Sequence, residues 1–360
     1  MSARGQAVIT RGRLKYSLML NKIGVEQPMR RKLLQGLSAA AVLAAAGCSR
    51  SSSEKRVRIA TSAGLNLTMS ELLHQQRFME SFGLEAEMVA MADGTKILGG
   101  IYSGSLDISP MSGFGQLFPA MEHGAEMRLI NAATLVPLTA LFSGKPNVRT
   151  LKDLEGKVVG IGALGSLVHQ LTVALLRKYS VDVSAVRFVN IGSNTDIFKG
   201  VMAGTVDAGS GPASYIEDAE SYKVHVLQNG NMSEELKEFT YQAGYTSRKL
   251  IETKRDSLVR VLAAYGRLFR FVQDPSSKEA FVKARKTVLP SSADREHVAE
   301  WEWLQKVKPF APDLTLSAER INYMQHINID FKIQKQILPF ERVADMSLAQ
   351  DALKLISSVD

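Results

Sequence analysis

The chain has 360 residues, of which 45% are hydrophobic and 22% are charged. These values are typical of a soluble globular protein that is long enough to bury one large core or two smaller ones. Nearly all of the net charge of +8 lies in residues 1–47, which contain eight Lys or Arg residues and one acid, Glu26. The rest of the chain has 36 basic and 35 acidic side chains, which excludes a basic body that would bind nucleic acid.

Residues 1–47 predict an export signal. Met29 precedes three basic residues at 30–32, and an apolar stretch follows at 33–46 that is too short to anchor a folded protein across a bilayer. Residues 1–28 have no signal character, so we predict that translation begins at Met29. Export would use the Sec route, and the Arg30-Arg31 pair also permits twin-arginine export.

Cys48 is the only cysteine, and it directly follows the small residues at the end of the apolar stretch. The sequence Ala45-Ala46-Gly47-Cys48 resembles the bacterial lipobox, in which the thiol is diacylated and the preceding peptide is removed. The resemblance implies a periplasmic protein that is anchored to the membrane by a lipid, with residues 48–56 as a polar tether. A single cysteine also excludes a disulfide within the chain and a thiolate metal site.

Residues 57–109 predict three strands and two helices. In chain order these are strand 57–61, loop 62–66, helix 68–82, strand 86–91, helix 95–103 and strand 106–109. Asp93-Gly94 starts the second helix. Gly83 and Gly104 end the two helices, because glycine readily takes the left-handed conformation that follows a helix.

The same order of elements recurs about one hundred residues later. It comprises strand 157–161, loop 162–166, helix 167–179, strand 186–191, a helix from Ser193-Asn194 to Gly204, and strand 206–208. When the two copies are aligned at an offset of 100 residues, five residues of the first copy align with identical residues of the second: Thr95, Ile97, Gly100, Gly104 and Asp107. We interpret the two copies as two similar lobes.

Strand–helix–strand alternation predicts parallel sheets with right-handed crossovers. Ligands bind beyond the carboxyl ends of the strands in such sheets, so the loops of the two copies would face each other across a cleft. Asp107 and Asp207 would lie at the opposite edge. We therefore interpret them as structural carboxylates that accept backbone N–H bonds, and not as a catalytic pair.

Two further strands, 138–143 and 241–246, predict two crossings between the lobes that act as a hinge. A helix over 256–273 follows the second crossing, and the remaining chain is mainly helical. The predicted divisions are signal region 1–47, tether 48–56, lobe one 57–145 plus 245–360, and lobe two 146–244.

Known catalytic and cofactor motifs are incomplete in this sequence. Gly160, Gly162 and Gly165 outline a dinucleotide fingerprint, but residues 188–193 lack the acid that would hold the ribose. The six histidines are scattered, and no Gly-x-Ser-x-Gly motif is present. We therefore expect no cofactor, no metal and no catalysis.

Two motifs carry a resemblance to a known family: Leu151-x-Asp153-Leu154-x-Gly156-Lys157 and Gly204-x-x-Asp207. The chain resembles the substrate-binding lipoproteins of ABC importers in the nitrate/sulfonate/taurine and thiamine-precursor group, over about residues 56–355. The resemblance implies an α/β fold, the two-lobed type II periplasmic binding protein, with two similar α/β domains joined by two hinge strands. It further implies a monomer that delivers a small polar or anionic, sulfonate-, nitrate-, taurine- or pyrimidine-like molecule to permease subunits with a cytoplasmic ATPase.

The resemblance also implies a set of ligand-binding residues, all with hydroxyl, amide or free backbone N–H groups suited to oxyanions or polar heterocycles. They are Ser62, Asn66, Gly94, Thr95, Ser112 and Gly113 from lobe one, and Gly165, Ser166, Asn194, Ser210 and Gly211 from lobe two. No arginine falls in these loops, which leaves the charge of the ligand open.

Two alternatives remain open at this point. One is an enzyme on the same two-lobed fold, as found in the thiamine-precursor and menaquinone pathways. The export signal and the missing cysteine cluster of the thiamine-precursor enzymes argue against it. The other is a lipid-anchored sensor that binds a ligand but serves no importer.

Overall fold

The computed structural model describes residues 6–10, 13–17, 56–91 and 94–358. The apolar signal stretch, Cys48 and Asp93 lie outside these residues, so the predictions made for them are not addressed by the structure. No helix within the described ranges has both the length and the apolar character needed to cross a membrane.

The structure is a mixed α/β fold, as the sequence predicts. Its strands are β1 (Gln6–Thr10), β2 (Arg13–Ser17), β3 (Arg56–Thr61), β4 (Glu85–Ala90), β5 (Ser109–Ser112), β6 (Met127–Thr134), β7 (Thr139–Ser143), β8 (Val158–Ile161), β9 (Arg187–Asn190), β10 (Ala208–Pro212), β11 (His225–Asn231) and β12 (Gln242–Ser247). Its α-helices are α1 (Leu65–Gln75), α2 (Phe78–Ser81), α3 (Gly94–Tyr102), α4 (Leu117–Glu122), α5 (Leu167–Lys178), α6 (Asn194–Met202), α7 (Met232–Glu235), α8 (Arg248–Gln273), α9 (Lys278–Val288), α10 (Asp294–Val307), α11 (Ala318–Asp330), α12 (Phe340–Val343) and α13 (Ser347–Ser357). Short 3-10 turns include Ala213–Tyr215 and Ala219–Tyr222.

The strands of residues 56–247 form two groups. In the first, β3 pairs with β4 in parallel, a bridge from Ile59 to Ile108 continues this pairing, and β5, β12 and β6 form an antiparallel sheet. In the second, the order is β11-β7-β10-β8-β9, with β8 parallel to both β9 and β10. Each group therefore contains the parallel strand–helix–strand unit that the repeat predicts.

The chain passes between the two groups twice, once between β6 and β7 and once between β11 and β12. The expected lobe boundary at residue 145 leaves β7 in lobe one, but the structure pairs Phe142 of β7 with Gly209 of β10. We therefore propose that the crossings lie at residues 135–138 and 232–241, with β7 in lobe two.

The predicted helix over 68–82 is wrong in its bounds, because the structure has two helices here. The first begins at Leu65, so that Asn66 lies in its first turn and not in the preceding loop. Arg77 has a left-handed backbone with φ of 55°, which interrupts the helix before α2 begins at Phe78. A sequence pattern of apolar residues does not reveal such a local break.

Asp107 and Asp207 occupy equivalent places in the two groups. Asp107 Oδ2 accepts the backbone N–H of Arg58 at 2.8 Å, and Asp207 Oδ2 accepts the backbone N–H of Val158 at 2.8 Å. Asp107 thus joins its own segment to the start of β3, and Asp207 joins its own segment to the start of β8. The structural interpretation of both residues is confirmed.

The environments of the two carboxylates differ in charge. The Arg58 guanidinium donates to Asp107 at 3.0 and 3.2 Å, and Lys254 of α8 donates at 3.1 Å. Burial alone would raise the pKa of Asp107, but the hydrogen bonds from Arg58 and Lys254 outweigh it, so the pKa lies below its usual value. At Asp207, the residue equivalent to Arg58 is Val158, which brings no cation.

We predict that Asp107→Asn lowers the free energy of unfolding by about 2 kcal/mol at pH 7, because charge-assisted hydrogen bonds are lost. The stabilisation from a carboxylate with a lowered pKa is present above the unfolded pKa of about 3.9 and is lost as the pH falls through the folded pKa. Urea unfolding at pH 7 and pH 3 should therefore show the difference between wild type and variant shrink in acid.

Asp207→Asn is the matched control for this prediction. The variant keeps an amide oxygen that can accept the Val158 N–H. Among the described residues no cation pairs with Asp207, so the effect of the change should be smaller. Equal losses at the two positions at pH 7 would contradict the role assigned to Arg58 and Lys254.

Candidate functional site

A cavity of about 240 Å³ lies between the two groups of strands. It is smaller than the 300–1,000 Å³ typical of drug-sized ligand pockets, so it suits a small molecule. Eight of the eleven residues predicted to bind ligand line it: Ser62, Asn66, Gly94, Thr95, Ser112, Gly113, Ser166 and Asn194. The structure thus brings loops of both copies to one cavity.

The other three predicted residues do not line the cavity but support it. The backbone N–H of Gly165 donates to His169 Nδ1 at 3.0 Å, so it is already occupied. Ser210 Oγ donates to Asn194 Oδ1 at 2.6 Å, which orients the Asn194 amide. A Cβ on Gly211 would lie 2.4 Å from the Phe198 ring, so this glycine permits close packing in β10.

The lobe-one side of the cavity is held in place by Asn66. Its Nδ2 atom donates to Ser62 Oγ at 3.0 Å and to the carbonyl of Met111 at 2.8 Å. These bonds join the start of α1 to β5, so two chain segments that follow parallel strands are fixed beside each other. Ser112 Oγ accepts from Ser109 Oγ at 2.8 Å and is 3% exposed, so this hydroxyl is held inside the lobe.

The lobe-two side presents the starts of α5 and α6. Ser166 precedes α5 in an extended conformation and makes no side-chain capping bond. Within the described part of the chain, its buried Oγ has no hydrogen-bond partner. Ser193 caps α6 through a capping box with Asp196. Free N–H groups and the helix dipole make such helix starts suitable for acceptor oxygens of a ligand.

Several lining residues were not predicted from the sequence, because they lie outside both copies of the repeat. They are Gln116, Leu138, Tyr215, Tyr241, Gln242, Arg285, Leu289, Ser292 and Glu300, among others. Arg285 is the most important, since the predicted loops contain no arginine. One signal was available: Arg285 follows Phe281 by four residues and therefore shares its buried helix face.

The C-terminal helices contact lobe two on both sides of the cavity. On one side Ser214 Oγ donates to Glu300 of α10 at 2.5 Å, and Tyr222 OH donates to Glu296 at 2.9 Å. Burial, helped by this bond to Glu296, raises the pKa of Tyr222 to about 12. On the other side Gln170 of α5 donates to Asn328 of α11 at 2.9 Å. These bonds hold the two walls of the cavity together.

His169 lies on α5 behind the predicted Gly162–Ser166 loop. Burial lowers its pKa, because the protonated ring would lose solvation. Its Nδ1 accepts the Gly165 N–H, so the ring is neutral and the proton is on Nε2. This bond helps to fix the loop that leads into the start of α5.

Three solved structures of distant sequence share the fold. The alkanesulfonate-binding protein SsuA from Xanthomonas axonopodis pv. citri, bound to MOPS, has a TM-score of 0.64 at 19% identity over 83% of this chain and 97% of its own. The periplasmic nitrate-binding protein NrtA from Synechocystis has a TM-score of 0.66 at 8% identity over 84% of this chain and 89% of its own. A Candida albicans protein described as having the generic periplasmic binding protein fold has a TM-score of 0.60 at 13% identity over 83% of this chain and 94% of its own.

The fold is therefore that of the periplasmic binding proteins. The family model described as NMT1/THI5 like matches residues 74–275, which is more than half of the chain, and the chain belongs to this family. Among curated protein sequences, none matches the chain.

We predict that acid destabilises the protein through His169. The unfolded side chain, with a pKa of about 6.5, binds a proton more readily than the folded one. Stability from the neutral ring is therefore complete above that pH and is lost as the pH falls below it. His169→Gln should reduce the decrease in thermal midpoint between pH 7.5 and 5.5, measured by circular dichroism.

The exposed His123 provides the matched control for this measurement. His123→Gln shows the effect of the histidine-to-glutamine change itself at a position away from the α5 loop. Burial also lowers the pKa of His297, so this residue accounts for the pH dependence of the thermal midpoint that remains in His169→Gln. A pH dependence unchanged by His169→Gln would contradict this role.

Proposed function

We propose that the protein is the extracytoplasmic solute-binding component of an ABC importer, and that it captures a small polar or anionic molecule between its lobes. The observation that carries this proposal is the small cavity lined by hydroxyls, amides and helix starts from both lobes. The unpaired Ser166 Oγ at the start of α5 supports it, because a ligand oxygen would satisfy this buried hydroxyl.

Capture in this proposal is a hinge motion. A ligand that contacts both lobes binds the closed arrangement more tightly than the open one, so it shifts the population toward closure. The crossings at 135–138 and 232–241 are the proposed hinge. Cross-lobe bonds such as Ser214 to Glu300 would form as the lobes close.

The candidate ligands are sulfonates, nitrate, taurine and pyrimidine-like molecules. The names of the structural neighbours, one alkanesulfonate-binding and one nitrate-binding, support the first two classes. The cavity chemistry is compatible with them, since oxyanion oxygens can accept from the N–H groups at the starts of α5 and α6. We propose binding without catalysis, which the names of these substrate-binding neighbours support.

Export and anchoring complete the proposal. The protein would be exported to the periplasm by the Sec or twin-arginine route, be lipidated on Cys48, and act as a monomer beside permease subunits that work with a cytoplasmic ATPase. The polar residues 49–56 would give the folded lobes a solvated tether.

We predict that a binder among taurine, methanesulfonate, nitrate and uracil raises the thermal midpoint with a saturable dose response. Ser166→Ala and Ser112→Ala should each weaken this response. The Ser166 change should have the larger effect, because the Ser112 hydroxyl already bonds to Ser109. A response that survives both changes would contradict the site, and turnover of a probe would favour the enzyme alternative.

We predict that Cys48→Ser abolishes labelling of the protein by radioactive palmitate. The reason is that serine lacks the thiol to which the lipid would be linked. Labelling of the Cys48→Ser variant at wild-type levels would contradict the lipidation proposal.

A further inference from the structure

Arg285 of α9 is a buried cation at the cavity wall. Its side chain is 4% exposed, and its Nε atom is buried without a hydrogen-bond partner among the residues that the structure describes. It forms an ion pair with Glu300 on α10, with Arg285 Nη2 and Glu300 Oε2 at 3.7 Å. Both residues line the cavity.

This arrangement leaves the guanidinium incompletely satisfied. Arginine remains charged at all physiological pH values and carries five N–H donors in a planar fork. A separation of 3.7 Å is an ion pair without a hydrogen bond, and Glu300 already accepts from Ser214. A buried charged donor without an acceptor is costly, so an acceptor from the cavity would stabilise it.

We propose that Arg285 binds an oxyanionic group of the ligand and thereby determines the charge class that the protein accepts. This inference rests on the proposed function of the cavity as a ligand site. The planar fork favours a group with two acceptor oxygens side by side, such as a carboxylate or a sulfonate. Glu300 is a positioning residue that holds Arg285 beside the cavity and joins it to Ser214 of lobe two.

Glu300 also limits the charge of the ligand. It places one negative charge next to the guanidinium. A dianion bound to Arg285 would bring a second negative charge close to the Glu300 carboxylate, and the two like charges would repel each other. The apolar side chains of Leu138 and Leu289 and the ring of Tyr241 line the same cavity and favour a ligand with a short organic part. The ligand class is therefore a small organic monoanion.

Calorimetric titration of the full-length chain with methanesulfonate, propionate, sulfate and uracil tests the inference. Wild type should bind one or both organic monoanions about tenfold or more tightly than sulfate or uracil. Arg285→Gln should weaken monoanion binding by about tenfold or more, because hydrogen bonds to a charged group are lost. Arg285→Lys should be intermediate, since it keeps the charge but not the fork.

A double variant distinguishes loss of the ligand contact from misfolding. Arg285→Gln leaves Glu300 buried without its cation, whereas the double variant Arg285→Gln/Glu300→Gln removes both charges together. The double variant should unfold at a temperature close to that of wild type and still bind monoanions weakly. Arg270→Gln, at an exposed arginine outside the cavity, should bind as wild type does.

Glu300→Gln gives a readout that a purely structural role would not change. The amide can still accept from Ser214, but the negative charge is removed, so the preference for methanesulfonate or propionate over sulfate should decrease. An unchanged preference would overturn the role of Glu300 as the residue that excludes dianions.

The outcomes separate this inference from the proposed function. If wild type binds the monoanions and the folded double variant binds them equally well, Arg285 is not the anion-binding residue, and the proposed function stands. Preferential binding of uracil would also overturn the inference alone. If wild type binds none of the four probes and none of the wider ligand screen, the proposed function and the inference both fail.

Discussion

Parallel pairing of strands in both halves of the chain is the constraint on which the cavity depends. In one half β3 runs parallel to β4, and in the other β8 runs parallel to β9 and β10. Parallel strands place all their carboxyl ends at one edge, and the helices that follow them begin there. Two such edges facing each other create a cavity whose walls are helix starts and loops, without any dedicated binding domain.

The repeated carboxylates reinforce this pairing at the opposite edge. Asp107 and Asp207 each accept a backbone N–H from the start of the neighbouring parallel strand. They are thus part of the scaffold in both lobes, although two aspartates at the same position of each copy could be taken for a catalytic pair. Geometry separates the two interpretations, because the carboxylates lie away from the cavity and bond to backbone.

The repeat predicts the parts of the structure that are local in sequence. The strand–helix order and the glycines that end helices follow from patterns within each copy, and the family resemblance implies eight of the residues that line the cavity. The sheet membership of β7 was not predictable, because it depends on pairing with β10 some seventy residues away. Arg285 and Glu300 were also missed, since the packing of α9 and α10 against the cavity depends on tertiary contacts between distant segments.

In the proposed function, α9 and α10 would link ligand binding to lobe closure. Glu300 contacts Arg285 at the cavity and Ser214 in the other lobe, so a charge that binds Arg285 also affects the contact between lobes.

The most direct test is a crystal structure of the protein with methanesulfonate. The account predicts sulfonate oxygens within about 3 Å of Arg285 Nε and Ser166 Oγ, with the lobes closed around them. A sulfonate bound outside the cavity, with Arg285 Nε still lacking an acceptor, would contradict it.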